Sequence, residues 1–111
     1  MMELDKKYVF HIPVYKFLKM GLIPIEYEEI LDVLIDRFNQ EGYDSLYITE
    51  VKGFYKSREF DELLITIFTS SYDDLPQHIF EYWFIENNDV LGQEAFAYEC
   101  NNSMFVEKIM V

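Results

Sequence analysis

Residues 24–41 place Tyr27, Ile30, Leu31, Leu34 and Phe38 at the i, i+3, i+4, i+7 spacing of an amphipathic helix. The segments on either side, 8–17 and 46–55, instead alternate apolar and polar residues in the manner of half-buried strands. A helix with one apolar stripe, flanked by strands with one apolar face, must pack against a sheet. That change of period constrains the fold more than any single residue does.

The rest of the chain extends the pattern. In 8–17, Tyr8, Phe10, Ile12 and Val14 share a face, and Pro13, which cannot donate to a ladder, predicts an edge position or a bulge. Pro24 suits the first turn of the helix, Glu26, Glu28 and Glu29 oppose its dipole there, and Gly42 is placed to end it. Residues 46–55 predict a strand with Tyr47, Thr49, Val51, Gly53 and Tyr55 on one face. The polar run 56–61 predicts a loop of about six residues leading to a partner strand over 62–69. Asp74 with Gln77 reads as a capping box, opening a second helix that runs to about Asn87 with Leu75, Ile79, Tyr82, Trp83 and Glu86 on one face. Gln93–Cys100 predicts a further strand. Asn101-Asn102 suits a tight turn, so 104–110 returns as a last strand, with a terminal helix through Met104, Lys108 and Val111 as the alternative.

The order strand, helix, strand, strand, helix, strand resembles the split βαβ arrangement of small ferredoxin-like domains. The resemblance implies an α+β fold, an antiparallel sheet with two helices on one face, with room for an extra C-terminal strand after Gln93–Cys100. It implies architecture and little about chemistry, because the arrangement hosts many activities. A chain of 111 residues predicts one domain spanning 1–111.

Charge narrows the partners. Twenty-one acidic against nine basic residues give a net charge of −12, and no Lys or Arg occurs between Glu59 and Glu107. Binding nucleic acid requires cations to neutralise phosphates, so nucleic acid is not an expected ligand. No apolar run of about 18 residues is present to span a bilayer, and the start, Met1 to Lys7, lacks the pattern of a signal peptide. With a single cysteine, Cys100, these features predict a cytoplasmic protein with no membrane partner.

Few residues point to chemistry. His11, His78 and Cys100 show no metal-ligand spacing, so neither a metal nor another cofactor is expected. A nucleophilic Cys100 needs a base that only His11 or His78 supplies, and an inert packed thiol is the simpler reading. Glu28, Glu29, Asp32 and Asp36 form an acidic face on the first helix, and Lys52, Lys56 and Arg58 form a basic patch on the strand hairpin. Phe80 and Phe84, four apart, form a second apolar stripe on the second helix, which needs a second partner: either the first helix within the same layer or an interface with a further copy of the chain. Open aromatic faces stack bases in some RNA binders, but the sheet aromatics Tyr47, Tyr55, Phe96 and Tyr98 lack the accompanying cations.

These features predict a homodimeric, non-catalytic binding or interaction module with no catalytic residues. One rival is an acidic mimic of nucleic acid that engages a basic DNA-binding protein. The other is a small dimeric enzyme using His11, Glu50 or Glu99 as general base in an aromatic pocket.

Overall fold

The computed structural model describes residues 3–19 and 21–109, and the backbone alone at Phe17 and Tyr55. Its strands are β1 (Lys6–Pro13), β2 (Tyr15–Leu18), β3 (Gly21–Pro24), β4 (Leu46–Tyr55), β5 (Arg58–Thr69), β6 (Ala95–Cys100) and β7 (Ser103–Lys108). Its helices are α1 (Glu28–Gln40), α2 (Leu75–Glu86) and the short α3 (Asn88–Leu91). Five strands form an antiparallel sheet in the order β4-β5-β1-β6-β7, and β2-β3 form a separate hairpin. This is the expected α+β arrangement, with the extra C-terminal strand in place.

The alternation of β1 explains its central position. Tyr8, Phe10 and Ile12 are each 0% exposed, beneath Leu34 and Phe38 of α1 and Phe80 and Trp83 of α2. The Phe10 ring lies 4.7 Å from that of Phe80 and 5.6 Å from that of Phe38, so one strand residue joins both helices. The Trp83 indole donates to the Ile30 carbonyl at 2.6 Å, a polar tie between the helices inside an apolar layer.

Several expectations are corrected. Phe80 and Phe84 are 0% and 1% exposed, within the core and not on a surface stripe. The buried face of α2 is Pro76, Phe80, Trp83 and Phe84, again at i, i+4, i+7, i+8, while Tyr82 points outward. Helix and sheet together enclose both stripes, because Phe84 also packs on Phe96 of β6, ring centres 5.6 Å apart.

The single strand expected over 8–17 breaks after Pro13. β1 is neither an edge strand nor bulged, since Pro13 is simply its last residue. Pro24 ends β3 and does not open α1, which begins at Glu28 and leaves Glu26 outside. The six-residue loop is a two-residue turn: Lys56 and Ser57 have φ of 49° and 64°, the left-handed pair that matches strand twist, and pairing resumes at Arg58 opposite Tyr55. Asn101 and Asn102, at φ of 48° and 71°, make the expected tight turn of the same kind.

The expected capping box of Asp74 with Gln77 does not form. Asp74 makes no side-chain cap, and the Leu75 N–H donates instead to Asp73 Oδ1 at 3.0 Å. Asp73 Oδ2 accepts from the Tyr43 and Thr69 hydroxyls, and the Asp73 carbonyl accepts from Lys6 Nζ and the Tyr8 hydroxyl. Residues 103–108 are a strand, not a terminal helix; Met110 and Val111 lie outside the described residues.

Candidate functional site

Because β-strand side chains alternate, the strands that bury Tyr8, Ile65 and Tyr98 under the helices turn a second set of residues to the other face. From β1 these are Val9 and His11, from β5 Glu62, Leu64 and Thr66, and from β6 Ala97 and Glu99. Neither of the two long helices covers this face. At its centre His11 Nδ1 lies 2.8 Å from Glu62 Oε1, and His11 Nε2 lies 2.8 Å from Glu99 Oε2.

An ionised carboxylate only accepts, so satisfying both contacts requires a hydrogen on each ring nitrogen. Burial opposes that positive charge, but the hydrogen bonds that His11 donates to Glu62 and Glu99 outweigh it and hold the His11 pKa above its ordinary value. The side chain is 17% exposed. The two nitrogens point to opposite carboxylates, so the three groups do not converge on one point. Among the described residues no cluster of three or more His, Cys, Asp or Glu is arranged to hold a metal ion.

Glu62 also lines two clefts. The first, of 540 Å³, lies between the β2-β3 side, the start of α1 and the β4-β5 strands, and is lined by Tyr15, Tyr27, Glu28, Glu50, Lys52 and Asp61 among others. Both clefts fall within the size range of small-molecule sites. The second, of 640 Å³, is more apolar, with Pro13, Phe60, Ala95, Ala97 and Val106 in its wall. Charge in the first cleft is mainly negative. Burial raises the Tyr27 pKa, and the charges of Glu28 and Glu50 raise it further, because a phenolate there would face carboxylates. Among the described residues lining this cleft the one cation, Lys52, is held by Asp61 at 2.8 Å.

The expected residues therefore separate. His11 and Glu99 meet, while Glu50 faces the first cleft on the other side of the sheet. Glu62, the second carboxylate on His11, carried only one sequence signal: an acid on the uncovered face of a strand that pairs with the strand bearing His11. Cys100 lies on the helix-facing side with Tyr98, opposite to His11, and packs against the core. His78 approaches Asp74 at 3.4 Å. Glu28, Glu29, Asp32 and Asp36 are exposed on α1. Lys52 is paired with Asp61 and stands 3.8 Å from Glu59, so it does not form an open basic patch with Lys56 and Arg58.

The architecture is the α+β, split βαβ arrangement that the sequence predicts. A phage SAM lyase in complex with S-methyl-5′-thioadenosine superposes with a TM-score of 0.61, covering 98% of this chain and 95% of that chain at 12% identity. A phage SAM lyase in its apo state gives 0.55 over the same shares. In sequence the chain is 30% identical over 115 residues to Uncharacterized protein R853 of Acanthamoeba polyphaga mimivirus, covering 93% of this chain and 86% of that protein. The chain belongs to the family of that mimivirus protein. No protein-family model matches it.

The structural likeness corrects the expected function. A non-catalytic interaction module, with a nucleic-acid mimic as its rival, was expected, yet the fold spanning the chain is one that serves an enzyme in the phage protein. Among the described residues no helix is long and apolar enough to cross a membrane.

Proposed function

We propose that this chain is a small enzyme that cleaves a sulfonium nucleoside of the S-adenosylmethionine kind, releasing S-methyl-5′-thioadenosine. The observation that carries this reading is the cleft walled by Tyr15, Tyr27, Glu28, Glu50 and Glu62. It supplies carboxylates for a positive sulfur and ring faces for an adenine or the cation itself. The fold shared with the phage SAM lyase supports the same choice.

In an elimination from such a substrate, the bond between sulfur and the four-carbon chain breaks and its electron pair stays on sulfur. A base takes a proton from the neighbouring carbon, leaving a neutral thioether and an unsaturated amino acid. Glu50, exposed on the cleft wall, takes that proton, and Glu28, at the start of α1 on the same side of the sheet, seats the positive sulfur. A carboxylate-lined cleft favours the sulfonium over the neutral thioether product, and product release follows from the loss of charge. A cytoplasmic setting is part of this proposal, consistent with the lone thiol Cys100.

Incubation with S-adenosylmethionine, followed by chromatography for S-methyl-5′-thioadenosine, tests the reading. Enzyme-dependent release that falls at least about 100-fold in Glu50→Gln is expected, in line with losing a positioned base. An unchanged substrate would refute it.

A further inference from the structure

The face of the sheet that bears His11 is covered by neither long helix, and strand register lays it out in rows. Tyr47, Thr66, Val9, Glu99 and Met104 form one row across β4, β5, β1, β6 and β7. In the next stand Thr49, Leu64, His11, Ala97 and Val106, and in the third Val51, Glu62, Pro13, Ala95 and Lys108. Tyr47, Met104 and Val106 are 63%, 53% and 66% exposed. With the exposed Phe68 beyond the first row, they make a contiguous apolar surface of the kind that marks an interface. The two ends of this face differ in relief. Tyr47, Phe68 and Met104 project at one, whereas the other sinks into the 640 Å³ cleft walled by Pro13, Phe60, Ala95, Ala97 and Val106.

Charge is unevenly spread around the molecule. The strand residues of this face set Lys7, Arg58, Lys108 and the His11 imidazolium against Glu62 and Glu99, a small positive balance on a chain of net charge −12. The acids that repel a like molecule therefore lie elsewhere, as Glu28, Glu29, Asp32 and Asp36 do on α1. A strongly basic protein is drawn to those acids and an acidic one is repelled by the body, which leaves a like surface as the fitting partner. Five strands about 4.8 Å apart, each with about seven residues at about 3.3 Å, give a footprint of about 550 Å². Side chains raise its accessible area towards the roughly 800 Å² per partner of a stable dimer. We propose that a second copy of this chain covers this face, the two sheets packed end over end about a twofold axis passing beside His11. Each projecting end then enters the hollow of the other copy, at the sheet separation of about 10 Å usual for such sandwiches. Glu99, one row before His11, comes over the row of Ala95 and Lys108, so two Glu99–Lys108 pairs form across the interface. The two His11 rings face one another, each between its own pair of carboxylates. The proposal does not depend on the sulfonium reading, because Glu50 and the first cleft lie on the other side of the sheet.

Static light scattering on protein eluting from a sizing column at tens of micromolar tests the proposal. The native protein is expected at twice the chain mass of 13.4 kDa. Val106→Arg, which puts a charge where the lone chain is open to water and the pair is not, is expected at the single-chain mass with its circular dichroism and urea transition retained. Met104→Arg, one row away, is expected to do the same and stands in if Val106→Arg fails to fold. Tyr82→Arg, on the outer face of α2, is expected to remain paired. Lys108→Glu, which sets carboxylates against each other, is expected to raise the dissociation constant at least about tenfold. A native mass other than twice that of the chain, or pairing that survives both arginine variants of β7, overturns the proposal, as does dissociation by Tyr82→Arg alone. An unchanged dissociation constant in Lys108→Glu overturns the end-over-end arrangement.

Discussion

His11 and Glu99, separated by 88 residues in sequence, meet at 2.8 Å across the β1-β6 pair, and the opposite ring nitrogen of His11 reaches Glu62 of β5. One imidazolium thus ties three adjacent strands of the five-stranded sheet on its uncovered face. Since its folded-state pKa lies above the ordinary value of 6.5, the associated stability is fully present below that value and is lost as pH rises through the folded pKa. Denaturant midpoints measured from pH 6 upward should fall for the native protein and run flatter for His11→Gln. Equal pH dependence in the two proteins would show that the imidazolium contributes nothing.

Asp73 has the opposite sign. Burial raises its pKa, but hydrogen bonds from Tyr43, Thr69 and the Leu75 N–H outweigh burial and hold it below the usual carboxylate value. The stability it provides is present above its unfolded pKa and is lost as pH falls through the folded one. Asp73→Ala removes the cap of α2 and leaves two hydroxyls without their acceptor, so a loss of about 2–4 kcal/mol in urea unfolding is expected. Asp74→Ala, at the position that makes no side-chain cap, should cost less than about 0.5 kcal/mol.

Much of this was legible in the chain. The helix over 28–40 was written in Tyr27 to Phe38, and the Asn101-Asn102 turn in residues that accept a left-handed backbone. The β4-β5 turn was not, because Lys56 and Ser57 carry no preference for that conformation and strand pairing imposes it. The β2-β3 hairpin was hidden for a related reason: Pro13 divides an alternating run into two sheets without changing its period. At the site, His11 and Glu99 were identifiable as polar residues within strands. Their contact, and the part played by Glu62, depend on register between strands far apart in sequence. Phe80 and Phe84 look like surplus rings on the helical wheel, yet both are enclosed by their own chain.

Phe80 accordingly behaves as a core residue. It touches Phe10, Trp83, Phe84 and Phe96, and its truncation to alanine leaves a cavity among rings. Phe80→Ala should lose about 3–5 kcal/mol of unfolding free energy. A cost below about 1 kcal/mol would mean that the ring is not packed as described.

At the β4-β5 turn, replacing Lys56-Ser57 by Asn-Gly supplies residues suited to the φ values of 49° and 64°. Each L-residue held there costs about 1 kcal/mol, so a gain of about 1 kcal/mol in chemical denaturation is expected. A loss of stability would argue against the two-residue turn.

The central claim is that the cleft beside Glu62 holds a sulfonium nucleoside, and backbone amide NMR spectra recorded during addition of S-adenosylmethionine test it most directly. The predicted result is a saturating set of shifts centred on Tyr15, Tyr27, Val51 and Leu63, which line that cleft. Unchanged spectra, or shifts confined to the outer face of α2 around Tyr82 and Ile85, would contradict it.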